Sequence, residues 1–279
     1  MRILVVGMGL IGGSICKSIK AATSHAVYGC DVQQAVLDDA IADGAIDGTG
    51  NMTDGTYDMI ILCLHQRIAI QMVQEALPKI PAGTILVDTC GLKGRMVRDL
   101  TYRCRKADVR YVGTHPMAGR EKSGYYASIP NLFQNANLIV TPVDGTDEAA
   151  LDTVKELADQ MGFGKIVTAT PMWHDNMIAY TSQLAHVVSN AYIKSPTAQE
   201  HMGFSAGSYK DLTRVAKLNE DMWTELFLEN PDNLADESDT LIENLQEYSW
   251  AIRENDSETL RQLLKDGREK KAIIDGEIF

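Results

Sequence analysis

The chain is short of cations. Its 279 residues carry 26 lysines and arginines against 38 aspartates and glutamates, a formal net charge of -12. Such a balance excludes a non-specific nucleic-acid binder, which needs a basic face, yet a few local arginines would still suffice to receive a small anion in a cleft. Cysteine is scarce as well. Cys16, Cys30, Cys63, Cys90 and Cys104 form an odd set with no C-x-x-C spacing, which argues against a disulfide framework or a thiolate metal centre and reads as reduced thiols in apolar runs. No metal site is expected. No apolar run reaches the ~20 residues of a membrane span, so no membrane partner is expected. The opening MRILVVG begins a strand directly, without a charged leader and apolar core. A cytoplasmic location is therefore expected. Internal repeats, low-complexity tracts and long linkers are also missing.

What is present is alternation. Short apolar, β-branched runs recur at 2–7 (RILVVG), 25–31 (HAVYGCD), 58–64 (DMIILCL), 83–89 (GTILVDT), 109–115 (VRYVGTH), 136–142 (ANLIVTP) and 165–171 (KIVTATP). Helical stretches lie between several of them, among them 12–22, Ile68–Leu77 and Thr146–Met161, the last with Leu151, Val154, Leu157 and Met161 on one face. Near-continuous apolar strands separated by helices predict a mostly parallel sheet covered on both sides, a Rossmann-type doubly wound α/β domain. After Pro171 strand-like runs cease and helical spacing takes over, so a dinucleotide-binding domain is expected over 1–170 and an all-α domain over 171–279. Leu234, Leu241, Leu245, Tyr248 and Ile252 form one apolar stripe there, and Ser257 is placed to cap a last helix carrying Leu260, Leu263 and Leu264. The helical part is thin for a core of its own. Its stripes are expected to meet a second copy in a homodimer; the alternative is packing on the first domain.

Directly after the first strand comes GMGLIGGS, in which Gly7, Gly9 and Gly12 show the G-x-G-x-x-G spacing around Leu10 and Ile11. That spacing serves a tight turn, an approach bare enough for a pyrophosphate, and close helix–strand packing. The pattern alone is weak, and a purely structural turn also explains it. Its context, strand before and helix after, with Asp31 about 20 residues on at the end of the second strand, turns it into a dinucleotide site. An aspartate there accepts from the ribose hydroxyls and repels a 2′-phosphate, which favours NAD over NADP; an exposed strand-end acid is the plainer alternative.

The stretch GTHPMAGREKSG (113–124) places a histidine, two cations and an acid in a glycine-rich loop after a buried strand. HPMAGREKSG resembles the histidine loop of the prephenate and arogenate dehydrogenases, the family of tyrosine biosynthesis. DTCGLKG (88–94), HDNMIAYTSQLAH (174–186) and SYKDLTRVAKLNEDMWTELFLEN (208–230) resemble further segments of that family, in the same order. The resemblance implies NAD-dependent oxidative decarboxylation of a cyclohexadienyl dicarboxylate, here prephenate to 4-hydroxyphenylpyruvate. It implies His115 as the catalytic base, and an imidazole suits proton transfer near neutral pH. It also implies Arg214 as the carboxylate-binding cation, with Asp211 placed to orient it, His186 and Trp223 as pocket residues, and Glu121 as a gating acid. Surface, core or interface roles are the alternatives for these. His174 is read as capping or orienting the start of its helix.

Two positions depart from the family pattern. Gly91 stands where a serine is common, so its hydroxyl contact is lost or passes to Thr89 or to water. Arg120 stands where a threonine is common, adding a substrate-binding cation near the side-chain carboxylate or pointing to solvent. Retention of Glu121 favours prephenate over arogenate. The competing readings are another NAD-dependent dehydrogenase of a 3-hydroxy acid or imine, and an NAD-sensing module without catalysis. The first of these usually carries a lysine on the first long helix of the second domain, where this chain offers Gln183 and His186 and only the late Lys194.

Overall fold

The computed structural model describes residues 1–120 and 122–276. Its first part alternates strand and helix: β1 (Arg2–Val6), α1 (Leu10–Ala22), β2 (Ala26–Cys30), α2 (Gln34–Ala42), β3 (Gly48–Thr49), β4 (Met59–Leu62), α3 (Gln66–Ala76), β5 (Ile85–Asp88), α4 (Gly94–Lys106), β6 (Arg110–Pro116), β7 (Asn137–Val140), α5 (Glu148–Gln160) and β8 (Lys165–Thr168). The strands form one sheet in the order β3-β2-β1-β4-β5-β6-β7-β8. All neighbours are parallel except β6 and β7, which run antiparallel with His115 opposite Ile139. All seven expected strands are present. The two-residue β3 is an addition too short to carry a sequence signal.

The alternation of strand side chains divides the core into two layers. Ile3, Val5, Ile61 and Val87 face the layer that holds Ile15 and Ile19 of α1 and Val154 and Leu157 of α5. Leu4, Val6, Ile60, Leu62 and Leu86 face the other, with Val73 of α3 and Leu100 of α4. Apolar residues at every position of β4 are therefore needed, because both of its faces are covered. The order reverses between β1 and β4, the place where open α/β sheets take ligands in a crevice at the carboxyl ends of their strands.

The second part is helical: α6 (Pro171–Ile178), a π-helical turn (Ala179–Leu184), α7 (Ala185–Tyr192), α8 (Gly207–Thr213), α9 (Glu220–Leu228), α10 (Pro231–Arg253) and α11 (Ser257–Ile274). Two caps differ from expectation. Thr170, not His174, caps α6, its hydroxyl accepting from the Trp173 N–H. Asp256, not Ser257, caps α11 through the Thr259 N–H, since a carboxylate at that position outcompetes a hydroxyl one residue later. Leu234 is buried, but Ile242, Leu245, Trp250, Ile252, Leu264 and Ile273 leave an apolar face of α10 and α11 exposed on the single chain. All five cysteines are free thiols, and burial pushes Cys63 up to about 12. Among the described residues no helix is long and apolar enough to cross a membrane.

The β1–α1 turn tolerates no bulk. Gly7 has φ +91°, and a Cβ on Gly12 would overlap the Gly7 carbonyl oxygen. Gly12→Val must push strand and helix apart, a cost of about 3 kcal/mol. The thermal midpoint of that variant is expected to fall by at least about 5 °C, which differential scanning calorimetry will show.

Candidate functional site

The glycine turn forms an anion cradle. Gly7 donates its N–H to Cys30 O (2.8 Å), binding the turn to β2. A Cβ at Gly9 would meet nothing within 4 Å, so this face of the loop is open. No side chain caps α1 and no acid lies in its first turn. The N–H groups of Leu10, Ile11 and Gly12 lack helical acceptors and are available to a phosphate. Asp31 ends the crevice: its Oδ2 accepts from Met8 N–H (2.7 Å) and its Oδ1 from Gln33 N–H (2.9 Å). Each oxygen keeps a lone pair for a hydroxyl. The neighbouring Val32 is 99% exposed and offers no cation to a 2′-phosphate. The residues present fit a dinucleotide without that phosphate.

His115 stands near the carboxyl end of β6, partly buried. Its Nδ1 lies 2.9 Å from Nε2 of His174, the rings meeting edge to face. Nδ1 of His174 lies 2.7 Å from Asp175 Oδ1. A carboxylate only accepts, so His174 carries its proton on Nδ1 and, when neutral, presents a lone pair at Nε2. His115 must then donate from Nδ1, and its Nε2 is left as a bare lone pair able to take a proton. Asp175 is held in turn by the first turn of α4, where the N–H groups of Lys93 and Gly94 donate to Oδ1 and Oδ2, both at 2.7 Å. No side chain of α4 caps that helix; the carboxylate from α6 does.

Beneath His115 lies a buried ion pair. Lys93 and Asp88 are both fully buried and joined through Nζ and Oδ1. Lys93 Nζ also donates to Thr114 O (2.5 Å), Tyr111 OH donates to Asp88 Oδ2 (2.7 Å), and Thr114 Oγ1 donates to Asp88 O (2.6 Å). Desolvation holds the His115 pKa well below its ordinary 6.5, assisted by the Lys93 charge and by His174. All three effects favour the unprotonated imidazole. The unfolded chain takes up a proton near pH 6.5 that the native site refuses, so this group costs stability as pH falls from there toward the native pKa.

The other expected residues gather in the helical part. His186 and Trp223 stack with ring centroids 3.9 Å apart. His186 Nδ1 donates to Ser182 O (2.8 Å), which leaves its Nε2 as an acceptor in the neutral ring. Trp223 is half-buried on α9 against this histidine and Phe227 (5.3 Å), not in a core. Arg214 is the exposed C-terminal cap of α8, and Asp211 is exposed on the same helix. Arg120 donates to Ala127 O (3.0 Å), within its own loop. That loop is tied to α2, where Tyr125 OH donates to Asp43 (3.1 Å) and Tyr126 OH to Asp39. Glu121 lies outside the described residues. Thr89 Oγ1 donates to Leu62 O (3.1 Å), so its proton does not replace a serine at 91, where a Cβ would find open space. Among the described residues no group of three histidines, cysteines or carboxylates is arranged for a metal.

Sequence reading missed His174 as a partner of His115, and it missed Asp175, Lys93 and Asp88 altogether. All four lie inside the segments that carry the family resemblance, but their pairing joins β5, β6, α4 and α6, which no local pattern brings together.

Comparison with known proteins identifies the family. The nucleotide-binding domain of the prephenate dehydrogenase family matches residues 15–168, and its dimerization domain matches residues 170–266. A prephenate dehydrogenase of Bacillus subtilis is 28% identical over 96% of this chain and 74% of its own. A cyclohexadienyl dehydrogenase of Zymomonas mobilis is 29% identical over 98% and 96%. The crystal structure of an Aquifex aeolicus prephenate dehydrogenase with hydroxyphenyl propionate and NAD+ superposes with a TM-score of 0.86, at 29% identity over 98% of both chains.

Two results are expected from this site. The acid limb of the kcat/KM–pH profile should fall at an apparent pKa below 6.5; a limb above it would contradict a desolvated His115. A Cβ on Gly94 would lie 2.8 Å from Asp175 Oδ2, so Gly94→Ala displaces the carboxylate that orients His174. A shift of that kind near the reacting groups costs about 100-fold in rate, to be read as kcat in a folded variant.

Proposed function

The chain belongs to the prephenate dehydrogenase family, and from that premise we propose that it catalyses the NAD-dependent oxidative decarboxylation of prephenate to 4-hydroxyphenylpyruvate. The observation that carries this reading is the ordered series Asp175–His174–His115, which leaves a bare imidazole nitrogen at the carboxyl end of β6. The reaction needs a base at the ring hydroxyl, and His115 Nε2 takes that proton. Asp175 and His174 keep it in the accepting tautomer, and Lys93 with desolvation keeps it neutral.

Gly7, Gly9, Leu10, Ile11 and Gly12 would hold the cofactor's pyrophosphate, and Asp31 its adenosine ribose. When bound, NAD would supply the hydride acceptor for the carbinol carbon. Arg214 supplies a planar bidentate cation for one substrate carboxylate, oriented by Asp211 on the same helix. His186 and Trp223 form a flat wall for the pocket. Arg120 and Glu121 set the charge of the loop that borders it. The carboxylate on the ring must stay desolvated to leave as carbon dioxide, its electron pair passing into the ring as this becomes aromatic.

Residues 1–170 serve as the dinucleotide-binding unit and 171–279 as the substrate-binding unit. The apolar face of α10 and α11 joins two copies in a homodimer, a reading supported by the dimerization-domain match. Arogenate is the second reading for the substrate, because one relative at 29% identity is named for the cyclohexadienyl ring and not for a side chain.

The test is the initial rate of NADH formation with prephenate or arogenate, repeated with NADP. Prephenate with NAD should be the fastest pair. A preference for arogenate would overturn the substrate and keep the chemistry, whereas a preference for NADP would overturn the role of Asp31. His115→Asn should bind NAD as the parent does and lose kcat by at least about 100-fold, within the range general-base removal produces. Retained turnover would remove His115 from the mechanism.

A further inference from the structure

Residues 171–192 form one long helix with a π-helical turn at Ala179–Leu184. His174 and Asp175 precede that turn and His186 follows it. Twelve positions at about 100° each would set His174 and His186 about 120° apart around an unbroken α-helix. A π turn takes one extra residue into its i→i+5 ring, which reduces the effective separation to eleven positions and the angle to about 20°. The turn therefore puts both histidines on one face of the helix.

The turn is held from outside by two buried amides. Asn230, between α9 and α10, donates through Nδ2 to Asp175 O (2.8 Å) and to Gln183 Oε1 (2.8 Å), while its Oδ1 accepts from Asn233 (2.8 Å). Gln183, within the π turn, donates through Nε2 to Leu226 O on α9 (2.8 Å). The two backbone carbonyls only accept, so the orientation of both amides follows from their partners. Both side chains are buried. A single amide thus ties the residue that orients His174 to the π turn that aims His186, and Gln183 ties the same turn to the helix that bears Trp223.

We propose that Asn230 is a positioning residue, acting through Gln183 and Asp175 to hold the His115–His174 pair in register with the His186–Trp223 stack. This rests on the reading of His115 as the base. Asn230→Asp is isosteric and turns a donor into an acceptor facing two acceptors; Asn230→Ser keeps one hydroxyl donor and no charge.

The experiment measures kcat, KM and the thermal midpoint of both variants in the full chain, together with 19F spectra of protein labelled with 5-fluorotryptophan. The Trp223 signal is assigned by Trp223→Phe, and the remote Trp250 serves as internal control. The expected result is a kcat at least tenfold lower in Asn230→Asp and intermediate in Asn230→Ser, with KM raised and the Trp223 resonance moved while Trp250 stays. A lower thermal midpoint with kcat and the Trp223 signal unchanged would overturn the proposal. If Asn230→Asp does not fold, Asn230→Ser decides by the same criteria. The wild-type rate judges the assigned reaction, and the Trp223 shift judges this coupling whether or not either ring substrate turns over.

Discussion

Everything in the site hangs on where Asp175 puts its carboxylate. It caps α4 from outside, filling the two N–H groups that no residue of that helix satisfies. A carboxylate at a helix N-terminus gains both hydrogen bonds and the favourable end of the helix dipole. The same Oδ1 accepts from His174. One side chain therefore docks the helical part onto the sheet and selects the tautomer of the histidine pair. These two tasks cannot drift apart: a shift that loosens the docking also releases the histidine pair.

Below that contact the sheet supplies a second constraint. Lys93 and Asp88 are paired away from solvent, a state that is expensive to build and about 3–5 kcal/mol worse when one partner is removed. Hydrogen bonds from Tyr111 OH and the Cys90 N–H (2.9 Å) to the Asp88 carboxylate, and from the Lys93 ammonium to Thr114 O, satisfy the pair and make it tolerable. Burial of His115 and the nearby Lys93 charge both favour a neutral imidazole above it. The ion pair thus fixes the strand that carries His115 and tunes the histidine at once, and a surface salt bridge would do neither.

Much of this was legible in the chain. The strands could be read because β1, β4 and β5 are covered on both faces and must be apolar throughout. The cradle could be read because a tight turn and close packing admit only glycine at positions 7 and 12. Motif and resemblance single out Asp31, His115, His186 and Trp223 as candidates. The role of His174 was not, because histidine near a helix start reads equally well as a cap, and only the approach of β6 to α6 shows which partner its ring takes. Lys93 reads as an ordinary exposed lysine in DTCGLKG; nothing local announces a side chain that is fully buried. The π turn left no trace either, since AYTSQL keeps ordinary helical composition and the extra residue is stabilised by Asn230 some 47 positions away.

The sequence by itself determined the alternation of strands and helices, the glycine turn with its aspartate, and the histidine loop, because each is imposed by neighbours a few residues apart through backbone sterics and the period of burial. The tertiary structure alone decided which nitrogen of His115 is bare, which helix end Asp175 caps, and which face His186 presents. Those depend on directional hydrogen bonds between segments distant in the chain, and a hydrogen bond has no partner until the fold brings one within reach.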